Sequence, residues 1–331
     1  MSQDAAFNPA REAPARPLPT PTTVSPEMQK LIGAPLGPYW KMRPKSAEEW
    51  KAVVDAVAAP IVRGLPAMCE RLGVTYERTT IGGVRAFNVT PSNIRPENRD
   101  RLLLHIHGGC YILNPAEAGL PEAIQMAGFG GFRVLNVDYR MPPEAFFPAA
   151  HDDVLDAWKA ATKIEDPGRM AVFGTSAGGA LTLSLILRAK REGLPLPAAI
   201  ASGTPMSDVT KQGDTFYANA MIDSVLVIPD GHCDAATRYY ANGHDLSDPL
   251  LSPVYGDYSG FPPTILTSGT RDLLLSNTVR VHRKLRQAGV EAELQVYEGQ
   301  SHAQYLFDHT SPEAKEAFGE IAGFFDRHLE K

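Results

Sequence analysis

The strongest constraint on the fold lies at residues 170–180. There the apolar run Met170-Ala-Val-Phe173 meets Gly174-Thr-Ser-Ala-Gly-Gly179, and a helix-forming segment follows at once. A strand that passes into a helix with no loop between them leaves no room for side chains where the two backbones cross. Gly174 and Gly178 meet that demand because they lack a Cβ. Ser176, at the tip of the turn, is thereby lifted off the end of a sheet. The N–H of Ala177 opens the helix, where backbone donors and the helix field favour negative charge. Gly-x-Ser-x-Gly also arises by chance in long chains, so its meaning depends on its surroundings.

Those surroundings alternate. Apolar runs at 102–106, 133–137, 170–173, 198–201, 264–267 and 293–297 read as strands. Helical periodicity fills 120–127, 149–162, 181–192 and 276–288 between them. Gly193 and Gly289 stand just past two of these helices, where a left-handed cap is wanted. The alternation predicts an α/β fold with a mostly parallel sheet covered on both faces, binding ligands at the carboxyl ends of its strands. Upstream, 74–81 and 84–90 flank Gly82-Gly83 as a hairpin. Ser25-Pro26-Glu27 opens one helix. Ser46-Ala-Glu-Glu49 opens another at 50–62, which Pro60 is expected to kink or end.

The expected organisation has a flexible arm at 1–24 and cap helices at 25–72. A catalytic domain spans 73–204 and 246–331, and an insertion at 205–245 belongs to the cap. The stretch between the strands at 201 and 264 is too long for a loop in a compact domain.

Composition narrows the function. Apolar residues make up 44% of 331, and the net charge of −6 gives no basic stripe for nucleic acid. No segment reads as the roughly 18 apolar residues of a membrane span. Residues 1–26 lack the basic start and apolar centre of a signal peptide, so the expectation is a cytoplasmic protein or one already processed. Cys69, Cys110 and Cys233 are too scattered for a disulfide framework or a zinc site. Free thiols in a reducing compartment, no metal and no cofactor are expected.

A serine hydroxyl needs a base, and the base needs an orienting group. Asp272 falls just past the strand at 264–267, and His302 just past the strand at 293–297. An aspartate after a strand is commonly a helix cap, and a lone histidine is commonly structural. His302 differs because it completes an ordered Ser, Asp, His set. His151, beside Asp152 and Asp153, has no second ligand cluster and reads as helix surface. The other polar-flanked histidines (232, 244, 282, 309 and 328) read as solvated. A fourth element, His105-Ile-His-Gly-Gly-Cys-Tyr111, follows a strand with small residues whose N–H groups could converge on an anion.

Together these residues resemble the hormone-sensitive-lipase-like branch of the α/β-hydrolases, mostly bacterial carboxylesterases. The match covers His107 to Tyr111 of the His-Gly-Gly-Gly-aromatic signature and Gly174 to Gly179 in the Gly-Thr-Ser-Ala-Gly-Gly form. It extends to Asp138-Tyr-Arg140 with Pro143-Glu144, and to Asp248-Pro-Leu-Leu-Ser-Pro253. The resemblance implies Ser176 as nucleophile, His302 as base and Asp272 as its orienting acid. It implies an oxyanion hole from Gly109, Cys110 and Ala177, with Gly108 shaping the turn and His107 holding the loop. Cys110 stands where the family usually has glycine. The simplest reading makes it a backbone donor with negative φ. Tyr39, Trp40, Tyr111, Phe216 and Leu226 are the pocket candidates. The resemblance further implies a homodimer through the last strand, at 293–297.

The expected function is a serine carboxylesterase acting on short-to-medium acyl esters, with a small-molecule ester substrate and no nucleic-acid partner. A lactone, amide or carbamate hydrolase or an acyltransferase would use the same machinery. A ligand-binding receptor is the alternative from another class. The plant gibberellin receptors resemble this family without the base histidine, which this chain retains.

Overall fold

In the computed structural model, residues 12–330 are described; most of the predicted arm, 1–11, lies outside them. Residues 12–24 carry no helix or strand, and the Pro19 carbonyl accepts from Arg271 at 2.7 Å. Ser25 caps α1 (Pro26–Ile32) by accepting from the Met28 N–H at 3.1 Å. Ser46 caps α2 (Ala47–Leu72) in the same way, through the Glu49 N–H at 3.2 Å.

Two expectations fail at α2. Pro60 does not end it, and Pro66 lies inside it as well. A proline removes one backbone bond, and the buried anchors Trp50, Val53 and Leu65 hold the helix on either side of the break. The helix is also long and apolar enough to cross a bilayer by length and composition, with mean hydropathy 1.5 and 11% of that window buried.

β1 (Val74–Ile81) and β2 (Val84–Pro91) form the expected hairpin, Ile81 facing Val84 across Gly82 and Gly83 at φ 58° and 83°. The chain then alternates through β3 (Leu102–Ile106), α3 (Pro121–Gly130), β4 (Arg133–Val137), α4 (Ala149–Ala161), β5 (Met170–Thr175), α5 (Ala177–Arg191) and β6 (Ala199–Gly203). After β6 come two helices outside the alternation, α6 (Thr215–Ala218) and α7 (His232–Ala241). β7 (Thr264–Gly269), α8 (Leu275–Gln287), β8 (Ala292–Tyr297) and α9 (Pro312–His328) complete the chain. α9 is not among the predicted helices.

The eight strands run in the order β1-β2-β4-β3-β5-β6-β7-β8, with β2 antiparallel to both of its neighbours, β1 and β4, and every other pairing parallel. The winding direction reverses between β3 and β5, which is where such sheets open a crevice. Side chains alternate between two cores. Leu104, Ile106 and Val172 meet Trp158 of α4, Leu181 of α5 and Val281 of α8. Leu103, Ala171 and Phe173 meet Ile124 of α3 and Phe318 and Phe325 of α9. Each fully buried phenylalanine contributes roughly 1.5–3 kcal/mol.

His151 is not helix surface. It is buried, with Nδ1 3.0 Å from Tyr240 Oη and Nε2 2.8 Å from the Leu250 carbonyl. Burial pushes its pKa down to about 4. His232 is likewise largely enclosed and pushed down to about 4 by burial.

Candidate active site

β3 and β5 are neighbours, with Ile106 opposite Gly174, so the loops leaving them meet. The contact is close. A Cβ on Gly174 would lie 2.2 Å from the Ile106 carbonyl oxygen, and one on Gly178 1.9 Å from it. Between these glycines Ser176 adopts φ 63° and ψ −120°. A non-glycine residue there costs on the order of 1–3 kcal/mol and persists only when its surroundings enforce it. Two backbone bonds do so: the Ser176 N–H donates to Gly203 O at 2.8 Å, and the Met206 N–H donates to Ser176 O at 3.0 Å. Beneath the turn, the Thr175 hydroxyl donates to the buried Glu122 carboxylate at 2.6 Å and meets Tyr305 Oη at 2.8 Å.

β7 and β8 pair in register to Gly269 and Tyr297, and the loops beyond them carry Asp272 and His302. Ser176 Oγ lies 2.9 Å from His302 Nε2, and His302 Nδ1 lies 3.1 Å from Asp272 Oδ1. All three side chains are buried. Asp272 also accepts from the Leu274 N–H at 2.7 Å and from Ser268 Oγ at 3.1 Å. The Thr204 hydroxyl donates to Asp272 Oδ2 and sits 3.1 Å from His302 Nδ1. Burial pushes the His302 pKa down, but the charges of Asp272 and Asp223 outweigh it, so the net shift is upward.

The loop after β3 curls tightly, with the Ile112 and Leu113 N–H groups both donating to Gly109 O at 3.0 and 2.8 Å. Gly108 faces the serine; a Cβ on it would sit 3.3 Å from Ser176 Cβ. The N–H groups of Gly109 and Cys110 have no acceptor among the described residues. His107 stacks on Tyr139 at 4.2 Å, its Nδ1 is 2.8 Å from Gly108 O, and Tyr139 Oη donates to His107 O at 2.8 Å. Burial lowers the His107 pKa to about 4, so its ring is neutral at working pH.

Cys110 departs from expectation twice. Its φ is 53°, because the curl of the loop puts both Cys110 and Tyr111 in the left-handed region. It is also not a free thiol. Cys110 forms a disulfide with Cys233 of α7, the two Cα atoms 5.6 Å apart, and Cys69 alone is free. The bond overturns the reading of three scattered thiols, which was made from spacing along the chain alone. It also removes the ground on which a reducing compartment was expected.

Residues 103–306, more than half the chain, match a family described as alpha/beta hydrolase fold. The chain belongs to that family. Among solved structures, the hydrolase is similar to an esterase, E25, at 42% identity and TM-score 0.93, covering 97% of this chain and 99% of that one. It is similar also to an esterase from the bacterial hormone-sensitive lipase family, at 28% identity and TM-score 0.74, covering 87% and 100%. An acetyl-hydrolase of Streptomyces hygroscopicus is 30% identical, over 71% of this chain and 78% of its own length. The hydrolase is a carboxylic ester hydrolase of this hormone-sensitive-lipase-like group.

Next to Ser176, Asp272 and His302 the hydrolase has a shallow cleft open to solvent, lined in part by Leu273 and Leu274, which follow Asp272, and by Met206, whose N–H donates to Ser176 O. Met206, Val209, Phe216, Leu226, Leu273 and Leu274 supply its apolar wall, joined by Asp208, Lys211 and Asp234. Lys211 pairs with Asp230 and Asp234, and Asp208 with Arg280. Of the pocket candidates, Phe216 and Leu226 line this cleft. Tyr39 lines a separate hollow with Met42, Arg43 and Val53. The Trp40 carbonyl accepts from the His232 N–H at 3.0 Å. Tyr111 lies in the core, fully buried and stacked on Tyr240 at 4.6 Å. Thr204 and Asp223 had no place in the sequence reading, and Cys233 entered it only as a scattered thiol.

Proposed function

We propose that this hydrolase is a serine carboxylesterase for short-to-medium acyl esters, with Ser176 as nucleophile, His302 as general base and acid, and Asp272 as the group orienting the imidazole. The observation that supports it is the continuous run of contacts from Ser176 Oγ to His302 Nε2 at 2.9 Å and from His302 Nδ1 to Asp272 Oδ1 at 3.1 Å. Ser176 Oγ attacks the ester carbonyl carbon while its proton passes to His302 Nε2. The carbonyl oxygen becomes an oxyanion, held by the N–H groups of Gly109, Cys110 and Ala177. Each such donor is worth roughly 3–4 kcal/mol of transition-state stabilisation. His302 then returns the proton to the departing alcohol, leaving an acyl-serine. Water, deprotonated by His302, attacks the acyl carbon; the serine leaves and the acid is released. No cofactor or metal enters these steps.

The acyl range rests on the cleft lined by Met206, Val209, Phe216 and Leu226, whose wall is mostly apolar. The acetyl-hydrolase relative accords with this. We further propose that 25–72 and 205–245 form a cap over the site. In support, the His232 N–H bonds to Trp40 O and the Gly37 N–H to Ser224 O, joining the two segments. Lactones, amides, carbamates and acyl transfer to an alcohol are reached by the same steps.

The test is turnover of p-nitrophenyl esters from acetate to palmitate, with a lactone and an amide alongside. Ser176→Ala and His302→Ala are each expected to nearly abolish turnover, and the double variant to be little worse than either, because such groups act as a unit. Near wild-type rates in Ser176→Ala would overturn the mechanism. Palmitate as the best substrate would overturn the acyl range.

A further inference from the structure

One carboxylate in the insertion has no role in the steps above, yet it touches both catalytic loops. Asp223 is fully buried. Its Oδ1 accepts from the Val225 and Leu226 N–H groups at 2.8 and 3.0 Å. Its Oδ2 accepts from the N–H of Leu273, the residue after Asp272, at 2.9 Å, and from the N–H of His302 itself at 3.4 Å. Four main-chain donors thus converge on one side chain. All four are donors, and a side chain that accepts at both oxygens, as an ionised carboxylate does, suits them best.

The neighbours of Asp223 reinforce the same connection. Asn219 Nδ2 donates to the carbonyl of Asp272 at 2.9 Å and to that of Thr270 at 3.2 Å. The Ser224 N–H donates to Ser301 Oγ, next to the histidine, at 2.9 Å.

We propose that Asp223 is a positioning residue for catalysis: its carboxylate locks the acid loop and the histidine loop to the insertion and adds a second negative charge beside the imidazole. The inference rests on the esterase mechanism given above. The charged groups that act on His302 are Asp272, from the loop after β7, and Asp223, from the insertion; both favour the imidazolium. Those that act on Asp223 are Asp272, which opposes its ionisation, and His302, which favours it. Burial first, and then Asp272, push the Asp223 pKa up to about 6, while His302 and the Leu273 and Val225 N–H groups favour its ionised form.

The arrangement gives Asp223 two separable effects. As an acceptor it sets where His302 and Asp272 stand. As a charge it stabilises the imidazolium that forms when Ser176 loses its proton. Asp223→Asn keeps the shape, but its amide NH2 faces N–H donors and its charge is gone.

The experiment compares the wild type with Asp223→Asn, Ser224→Ala and Ser176→Ala on p-nitrophenyl acetate across pH 5–9, normalised to active sites counted by the burst of p-nitrophenol. Counting sites removes any misfolded fraction from the rates. Asp223→Asn is expected to lose about tenfold or more in kcat with a small change in KM. Its acid limb is expected to move to lower pH by about half a unit, since removing a negative neighbour lowers the histidine pKa. Ser224→Ala, which leaves every charge in place, is expected to keep its acid limb at the wild-type position.

An Asp223→Asn acid limb within 0.2 units of wild type (roughly the resolution of a pH–rate profile), with kcat within about twofold, overturns the proposal. An identical shift in Ser224→Ala also overturns it, because loss of packing would then explain both. Turnover surviving in Ser176→Ala would instead sink the esterase mechanism, leaving the two failures distinguishable. Should Asp223→Asn give too few active sites to measure, Asn219→Ala replaces it. That variant frees the Asp272 carbonyl from the same segment and is expected to lower kcat with no shift of the limb; unchanged kcat there overturns the locking role.

Discussion

His302 sits between opposing influences, and their balance sets how the enzyme responds to pH. Burial disfavours the imidazolium, Asp272 and Asp223 favour it, and the net result is a pKa above the ordinary 6.5. As the proposed base, His302 works only when neutral. Activity per active site should therefore fall as pH drops through a value above 6.5, and a profile flat down to about pH 4 would exclude His302 as the base. Ser176, Asp272 and His302 were legible because each sits just past a strand and they follow one another in a recognised order. Thr204 and Asp223 were not. Their importance lies in distances of about 3 Å to residues far away in sequence, and no glycine, periodicity or spacing announces such contacts. Cys110 was misread for the same reason: the cysteine that completes it is 123 residues away.

At the scale of elements, the disulfide joins the loop after β3 to α7, and so joins the proposed oxyanion hole to the proposed cap. Closing a chain segment of this length removes denatured-state entropy worth up to about 5 kcal/mol in the chain-entropy model, and commonly delivers less. Reductant should therefore lower the melting temperature of the wild type and leave that of Cys233→Ser unchanged; calorimetry of both with and without dithiothreitol checks this. Turnover by Cys110→Ala should stay within about tenfold of wild type, roughly 1.4 kcal/mol, because the donor is a main-chain N–H. A loss beyond a hundredfold with the fold intact would mean that the bond itself holds the loop in working shape. Most helices were legible from their periodicity and caps. α9 was missed although its start repeats the signature read at α1: Ser311-Pro-Glu313 matches Ser25-Pro-Glu27, and Ser311 Oγ accepts from Ala314 N at 3.1 Å. The two caps even meet, since the Glu313 carboxylate accepts from both the N–H and the hydroxyl of Ser25 at 2.7 Å.

For the whole molecule, the alternation of strand and helix predicted a parallel sheet, but strand order is not written in periodicity. The order β4-β3-β5 makes the loop of the proposed oxyanion hole and the serine neighbours, and it came only with the structure. The sheet ends on β8, paired on one side by β7, with Val296 exposed on it. An open edge of this kind is a template for pairing, and two-fold dimers are the commonest oligomers. The expected mass by light scattering at micromolar concentration is therefore twice 35.9 kDa, and a monomer mass would count against the pairing. The sulfur bridge has a further consequence for how the chain comes into being. Joining 110 to 233 closes a ring that carries Ser176, whereas Asp272 and His302 ride on the open tail beyond it. Synthesis delivers that tail last. A growing chain that closed this bond early would hold the proposed nucleophile in a ring before its proposed base had been made, and the serine would stay chemically silent until the final two strands of the sheet had taken their places.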